Sequence, residues 1–108
     1  MSDGEKNELS LEDSIDCCEY ELYNTNREIK KVNRIIELLQ AINKGSKNSP
    51  LTLFRQLEFA VLTAKESKVQ GTYGEALKYY YVRLDFLESR VLELQEKRED
   101  LMMQSYTK

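Results

Sequence analysis

From Leu11 onward, apolar positions recur in strict 4,3 spacing: Leu11, Ile15, Cys18, Leu22, Thr25, Ile29, Val32, Ile36 and Leu39, with Thr25 the one polar member. A heptad period held this long predicts a helix with a coiled-coil-like seam rather than a generic amphipathic helix. Tyr20, Tyr23, Ile35, Leu38 and Ile42 widen that stripe. Ser10-Leu11-Glu12-Asp13 reads as a capping box with Asp13 as the reaching acid, and Lys44-Gly45 as a stop with glycine in a left-handed cap.

Ser49 and Pro50 open a second helix as N-cap and first helical residue. Its apolar set is Leu53, Phe54, Leu57, Ala60, Val61 and Ala64, with Leu51, Phe59 and Leu62 on the flanks. A helix apolar over most of its circumference is expected to be the central, most buried element. It fades at Lys68-Val69-Gln70-Gly71, and Thr72-Tyr73-Gly74-Glu75 forms another capping box with Thr72 as the cap. The third helix keeps its own heptad through Tyr73, Leu77, Tyr80, Leu84, Leu87, Val91, Leu94, Arg98 and Leu101, and Arg98 is the single charge on that stripe. Tyr79, Tyr81, Val82, Phe86 and Leu92 add a second apolar face, expected to look toward the second helix.

The fold class is therefore all-α: a three-helix bundle or elongated helical hairpin with helices over residues 11–44, 50–69 and 73–104. Residues 1–10 read as a polar tail, 11–104 as one helical domain and 105–108 as a frayed end. Four Gly and one Pro are too few for the turns that a sandwich or barrel needs every ~8–12 residues.

At ~1.5 Å per residue the outer helices are much longer than the middle one. Short links favour antiparallel neighbours, hence an up-down-up order. In that order roughly 20 Å of the first helix, from Leu11 to Leu22, and of the third, from Val91 to Leu101, would overhang at opposite ends. Bare seam residues there would be partner-binding: Leu11, Ile15, Cys18, Leu22, Val91, Leu94 and Leu101. Covering a Leu or Ile contributes ~1.5–3 kcal/mol, so such a stripe invites a second polypeptide, in a homodimer or a hetero-complex.

Charge sharpens this. Residues 1–24 carry eight acids and one lysine, whereas residues 25–47 carry six bases (Arg27, Lys30, Lys31, Arg34, Lys44, Lys47) and two acids. Acids at a helix start and bases toward its end suit the macrodipole. The same polarity lets two chains attract when antiparallel, while parallel pairing of the third helix would set Arg98 against Arg98. A symmetric antiparallel dimer is the favoured mode of self-association. An acidic segment beside the bases, without interleaved aromatics, makes a poor phosphate groove, so nucleic acid is not an expected partner.

The stretch Gly71-Thr72-Tyr73-Gly74-Glu75-Ala76-Leu77-Lys78-Tyr79-Tyr80 resembles the second helix of a tetratricopeptide repeat, Gly-x-Tyr-x-x-Ala-Leu-x-x-Tyr, with Ala60 and Ala64 as small residues on the helix before it. The same spacing is similar to the microtubule-interacting-and-transport domain, a three-helix module. The likeness spans residues 60–87; a second repeat is absent, and Arg83 stands where a repeat usually has Ala. Both families bind peptides or helices of partners, so the resemblance implies protein recognition.

Chemistry is sparse. The chain has no His, no Trp and two Cys, which removes the commonest metal ligand and structural zinc. Cys17 and Cys18 diverge by about 100° on a helix and read as small apolar fillers in a reducing compartment. The four Gly are too scattered for a phosphate loop. Acid pairs such as Glu12/Asp16 and Glu96/Asp100 fall on polar faces and read as solvated surface. No catalysis, cofactor, metal or small-molecule substrate is expected. No apolar run of ~18 residues occurs, and neither a signal peptide nor a lipidation signal is recognised, so the expected setting is the cytoplasm or the nucleus. The functional expectation is a non-enzymatic adaptor or structural subunit of a larger assembly. The alternatives are a small viral or mobile-element inhibitor that blocks one target, and a peptide-binding module of the tetratricopeptide type.

Overall fold

The computed structural model describes residues 10–66 and 71–106. Three helices account for nearly all of them: α1 (Leu11–Lys44), α2 (Pro50–Leu62) and α3 (Tyr73–Tyr106). No strand occurs among the described residues, so the chain is all-α. The particle is elongated, 66 × 27 × 22 Å.

α1 starts where its cap requires. Ser10 Oγ accepts a hydrogen bond from the Asp13 amide at 3.0 Å, and Glu12 and Asp13 sit in the positive first turn. Its end differs from the expected left-handed cap. Gly45 is extended, at φ −80° and ψ 161°, with its amide on the Ala41 and Ile42 carbonyls. Glycine is needed there for space: a Cβ at position 45 would lie 2.5 Å from the Thr52 hydroxyl oxygen. α3 opens as the sequence predicts, with the Glu75 amide donating to Thr72 Oγ1 at 3.2 Å. Gly71 just before it has φ 129°, a conformation that an L side chain rarely adopts.

α1 and α3 form an antiparallel hairpin along their full lengths. Ion pairs mark the register, with partners rising along α1 and falling along α3: Glu19–Arg98 at 3.8 Å, Glu21–Arg90 at 2.7 Å and Glu28–Arg83 at 3.2 Å. Between them lies the core of Val32, Ile35, Ile36, Tyr80 and Leu87, flanked by Ile29, Leu39, Leu77 and Leu84, with Phe59 and Leu62 entering from α2. Thr25, the polar member of the first seam, donates its hydroxyl to the Glu21 carbonyl at 2.7 Å, and Arg98 on the third seam is satisfied by Glu19.

Three expectations change. The up-down-up order is replaced, because α3 runs antiparallel to α1. The second helix is not the central element: α1 is, and α2 lies against its side, antiparallel to it, while the Cα traces of α2 and α3 nowhere come within 8 Å among the described residues. The second helix also stops at Leu62 rather than residue 69, whose last positions lie outside the described residues. Thr63 ends it by donating its hydroxyl to the Phe59 carbonyl at 2.8 Å, and the chain tightens into a turn. Glu66 then anchors the turn, accepting from the Tyr80 hydroxyl at 3.1 Å and pairing with Lys31 at 3.6 Å. α3 begins beside the C-terminal half of α1, where Gln40 donates to the Tyr81 hydroxyl, and runs back along α1 from there. At the other end α3 continues through Tyr106, two residues beyond the expected stop. Of the expected flexible ends, residues 1–9 and 107–108 lie outside the described residues.

Candidate functional site

The residues expected to be bare are covered by one another. Because α3 is antiparallel to α1, the Leu11–Leu22 segment faces the Val91–Leu101 segment at one end of the hairpin. Cys18 and Leu94 are fully buried there, and the Cys18 thiol donates to the Leu94 carbonyl at 3.1 Å. Leu11, Ile15, Leu22, Val91 and Leu101 are half-buried along the same seam. Their coiled-coil spacing is thus spent inside the chain, and the premise that they overhang is corrected. Cys17, expected as an apolar filler beside Cys18, is exposed.

The bare apolar surface lies on α2. Its inner face, Thr52, Arg55, Phe59 and Leu62, rests on α1, with Thr52 buried. At 100° per residue the positions Pro50, Leu53, Phe54, Leu57 and Val61 fall on the opposite side. They are exposed: Phe54 70%, Val61 68%, Leu57 62% and Leu53 55%. Pro50, Leu53, Phe54 and Leu57 line a shallow apolar depression of about 290 Å³. The exposed Ala60 lies beside this stripe, and the exposed Ala64 follows in the turn after the helix end. An i, i+3, i+4, i+7 pattern of large apolar side chains facing water is what a helix presents to a partner.

α2 is pinned in this pose by a forked ion pair. Arg34 donates from Nε to Glu58 Oε2 at 2.6 Å and from Nη2 to Glu58 Oε1 at 2.8 Å, and reaches Glu37 at 3.2 Å. The guanidinium holds the Glu58 carboxyl below the ordinary carboxylate range by hydrogen bonding. At the tip of α2, Leu62 sits beside Asn24, Arg27, Glu28 and Lys31.

Beyond that tip, no helix among the described residues covers this side of α1. Positions 34, 27, 23, 20, 16 and 13 follow at three-, four- and seven-residue steps, so they share the face that carries Arg34. Here Tyr20 is 68% and Tyr23 62% exposed, with Arg27 stacked 5.8 Å from the Tyr23 ring centre. On α3 the exposed Phe86 lies on the face of Arg83 and Arg90, which look toward this side of α1 through Glu28 and Glu21. Val82 lies one helical turn before Phe86 and is likewise exposed. The second apolar face expected on the third helix is therefore not covered by α2. Tyr80 alone of the three-Tyr run is core; Tyr79 and Tyr81 remain half in water, Tyr79 packing edge-on against Tyr80 and Tyr81 accepting from Gln40 Nε2 at 3.2 Å.

Among the described residues no group of three or more His, Cys, Asp or Glu is placed to hold a metal ion, and no helix is long and apolar enough to cross a membrane. The α2 stripe was visible in the sequence but assigned to the core. A helix apolar all round has two readings, burial in its own chain or a partner on each side, and the pattern alone does not separate them. No protein-family model, curated protein or solved structure matches the chain.

Proposed function

We propose that the chain is a non-enzymatic protein-interaction module, an adaptor or structural subunit whose α1–α3 hairpin serves as a strut and whose α2 is the docking helix. The observation that carries this reading is the outward stripe Leu53, Phe54, Leu57 and Val61, each more than half exposed. Leaving four such side chains in water forgoes several kcal/mol that a partner would supply. Because the Cα traces of α2 and α3 stay more than 8 Å apart among the described residues, a groove between them of the tetratricopeptide kind is not the form proposed.

Affinity capture with the tagged chain tests it. Phe54→Glu and Leu57→Glu are expected to lose a partner that the unaltered chain retains, with far-ultraviolet dichroism unchanged. Leu92→Glu, at an exposed site on α3 away from α2, is expected to keep it. Retention by the α2 variants equal to the unaltered chain refutes the reading.

A further inference from the structure

We propose that the occupant of the α2 face is a second copy of this chain, related by a two-fold axis across the middle of α1, with the α2 of each copy lying on the bare stretch of the other's α1. This rests on the reading of α2 as the docking helix and names its partner.

Length is the first argument. α2 runs beside the C-terminal part of α1, with Thr52 at Gly45 and Glu58 on Arg34, and no helix among the described residues covers residues 11–24 of the same face. α1, with 34 residues, is about 51 Å long and α2, with 13, about 20 Å, so the uncovered part of this face is long enough to take a second α2. Direction agrees. A two-fold reverses the second α1, and its α2 then runs along the open stretch with its outer stripe turned inward. Each α2 becomes a layer between two α1 helices, which accounts for apolar residues on its two opposite faces. An isologous contact of this kind closes on itself and makes a dimer rather than a fibre.

Charge is the second. Residues 10–24 hold Glu12, Asp13, Asp16, Glu19 and Glu21 and no base, while residues 25–47 hold six bases and two acids. Antiparallel stacking lays each acidic half on the other copy's basic half. It brings Lys44 and Lys47, at the start of α2, to the end of α1 that carries Glu12, Asp13 and Asp16. The outer stripe itself is uncharged, and the two acids on the face that receives it, Asp13 and Asp16, are the ones this arrangement sets near Lys44 and Lys47. Parallel stacking would set like on like.

Area is the third. Leu53, Phe54, Leu57 and Val61 of α2 and Tyr20 and Tyr23 of α1 are all exposed. At about 100 Å² apiece they offer roughly 600 Å² per copy, or about 1,200 Å² for the pair, the lower end of what a specific interface buries.

Cross-linking and sedimentation test this. The chain has two thiols, of which only Cys17 is exposed, and it lies on the open stretch. Leu57→Cys places a third thiol on the outer stripe, where the two-fold brings it to Cys17 of the other copy. Mild oxidation is expected to give a covalent dimer joined from Cys17 to the introduced thiol, identified by mass spectrometry of the linked peptides. The unaltered chain is expected to sediment at twice 12.7 kDa and to form no disulfide dimer, since Cys17 and its copy lie on opposite sides of the axis. Tyr20→Glu and Leu57→Glu, on the two sides of the same contact, are each expected to give monomers of unchanged helicity. A link between two introduced thiols would mean α2 packed on α2 and overturns the proposal. So does a 12.7 kDa particle well above micromolar concentration. If that monomer still captures a foreign partner through Phe54, self-docking fails and the interaction reading stands; if capture is also indifferent to Phe54, both fail.

Discussion

Leu94→Ala tests whether the far half of the hairpin is packed. Leu94 is 1% exposed, stands opposite Cys18, and lies well beyond the reach of α2. If the two long helices close on each other there, removing three buried carbons leaves a hole that neighbours fill only in part. Core Leu→Ala changes cost about 2–5 kcal/mol, and about 3 is expected here because the site lies in a two-helix seam that can partly collapse. For a chain of this size each kcal/mol lowers Tm by about 4–8 °C, so a fall of roughly 12–24 °C follows. Leu92→Ala is the control: the same residue type, two positions away, 62% exposed, with an expected cost within about 0.5 kcal/mol. Urea unfolding followed by circular dichroism reads both, at one fixed chain concentration because self-association would add to apparent stability. Equal midpoints for Leu94→Ala and Leu92→Ala would refute the packed far half, and with it the statement that Cys18 and Leu94 are spent inside the chain.

Other outcomes follow from single contacts. Gly45→Ala is expected to destabilise by about 1–3 kcal/mol by driving a methyl into the Thr52 hydroxyl, and Thr52→Ala is expected to recover part of that loss, a non-additivity that a double-mutant cycle measures. Glu58→Gln is expected to speed amide exchange in residues 50–62 while α1 and α3 stay protected, since it breaks the fork to Arg34. The folded Glu58 carboxyl sits below its ordinary value, so the contribution of this pair is full above about pH 4.3, fades as pH falls through the lowered value, and weakens with salt. Burial, with the facing Glu66 carboxylate, holds the Tyr80 phenol above the ordinary tyrosine range. A raised folded value means stability is full below about pH 10 and is lost as pH climbs past it; ultraviolet titration should show one of the seven tyrosines ionising only as the helices melt.

The two long helices were legible because each carries a heptad period for its whole length, and because Ser10 and Thr72 punctuate their starts with defined chemistry, as Pro50 does for α2. The direction of α3 was not. A 4,3 seam reads the same for parallel and antiparallel neighbours. The signal that separates the two lay in the charges: Glu19, Glu21 and Glu28 rise along one helix as their partners Arg98, Arg90 and Arg83 fall along the other. The end of α2 depends on Thr63 turning its hydroxyl back to Phe59, a local contact, and on Glu66 meeting Tyr80 and Lys31, which lie far from it in sequence. The candidate surface was legible in its residues and misplaced in its role, since apolar content says that a side chain wants cover and not who supplies it.

Hydroxyl-radical footprinting of Phe54 decides whether the outer face of α2 is covered when the protein is at work. Compared are the assembly isolated from its source and the purified chain diluted until it is monomeric. The expected result is heavy oxidation of Phe54 in the dilute chain and strong protection in the assembly, with Tyr106 of α3, 78% exposed, oxidised alike in both. Phe54 oxidised equally in the two samples would contradict it.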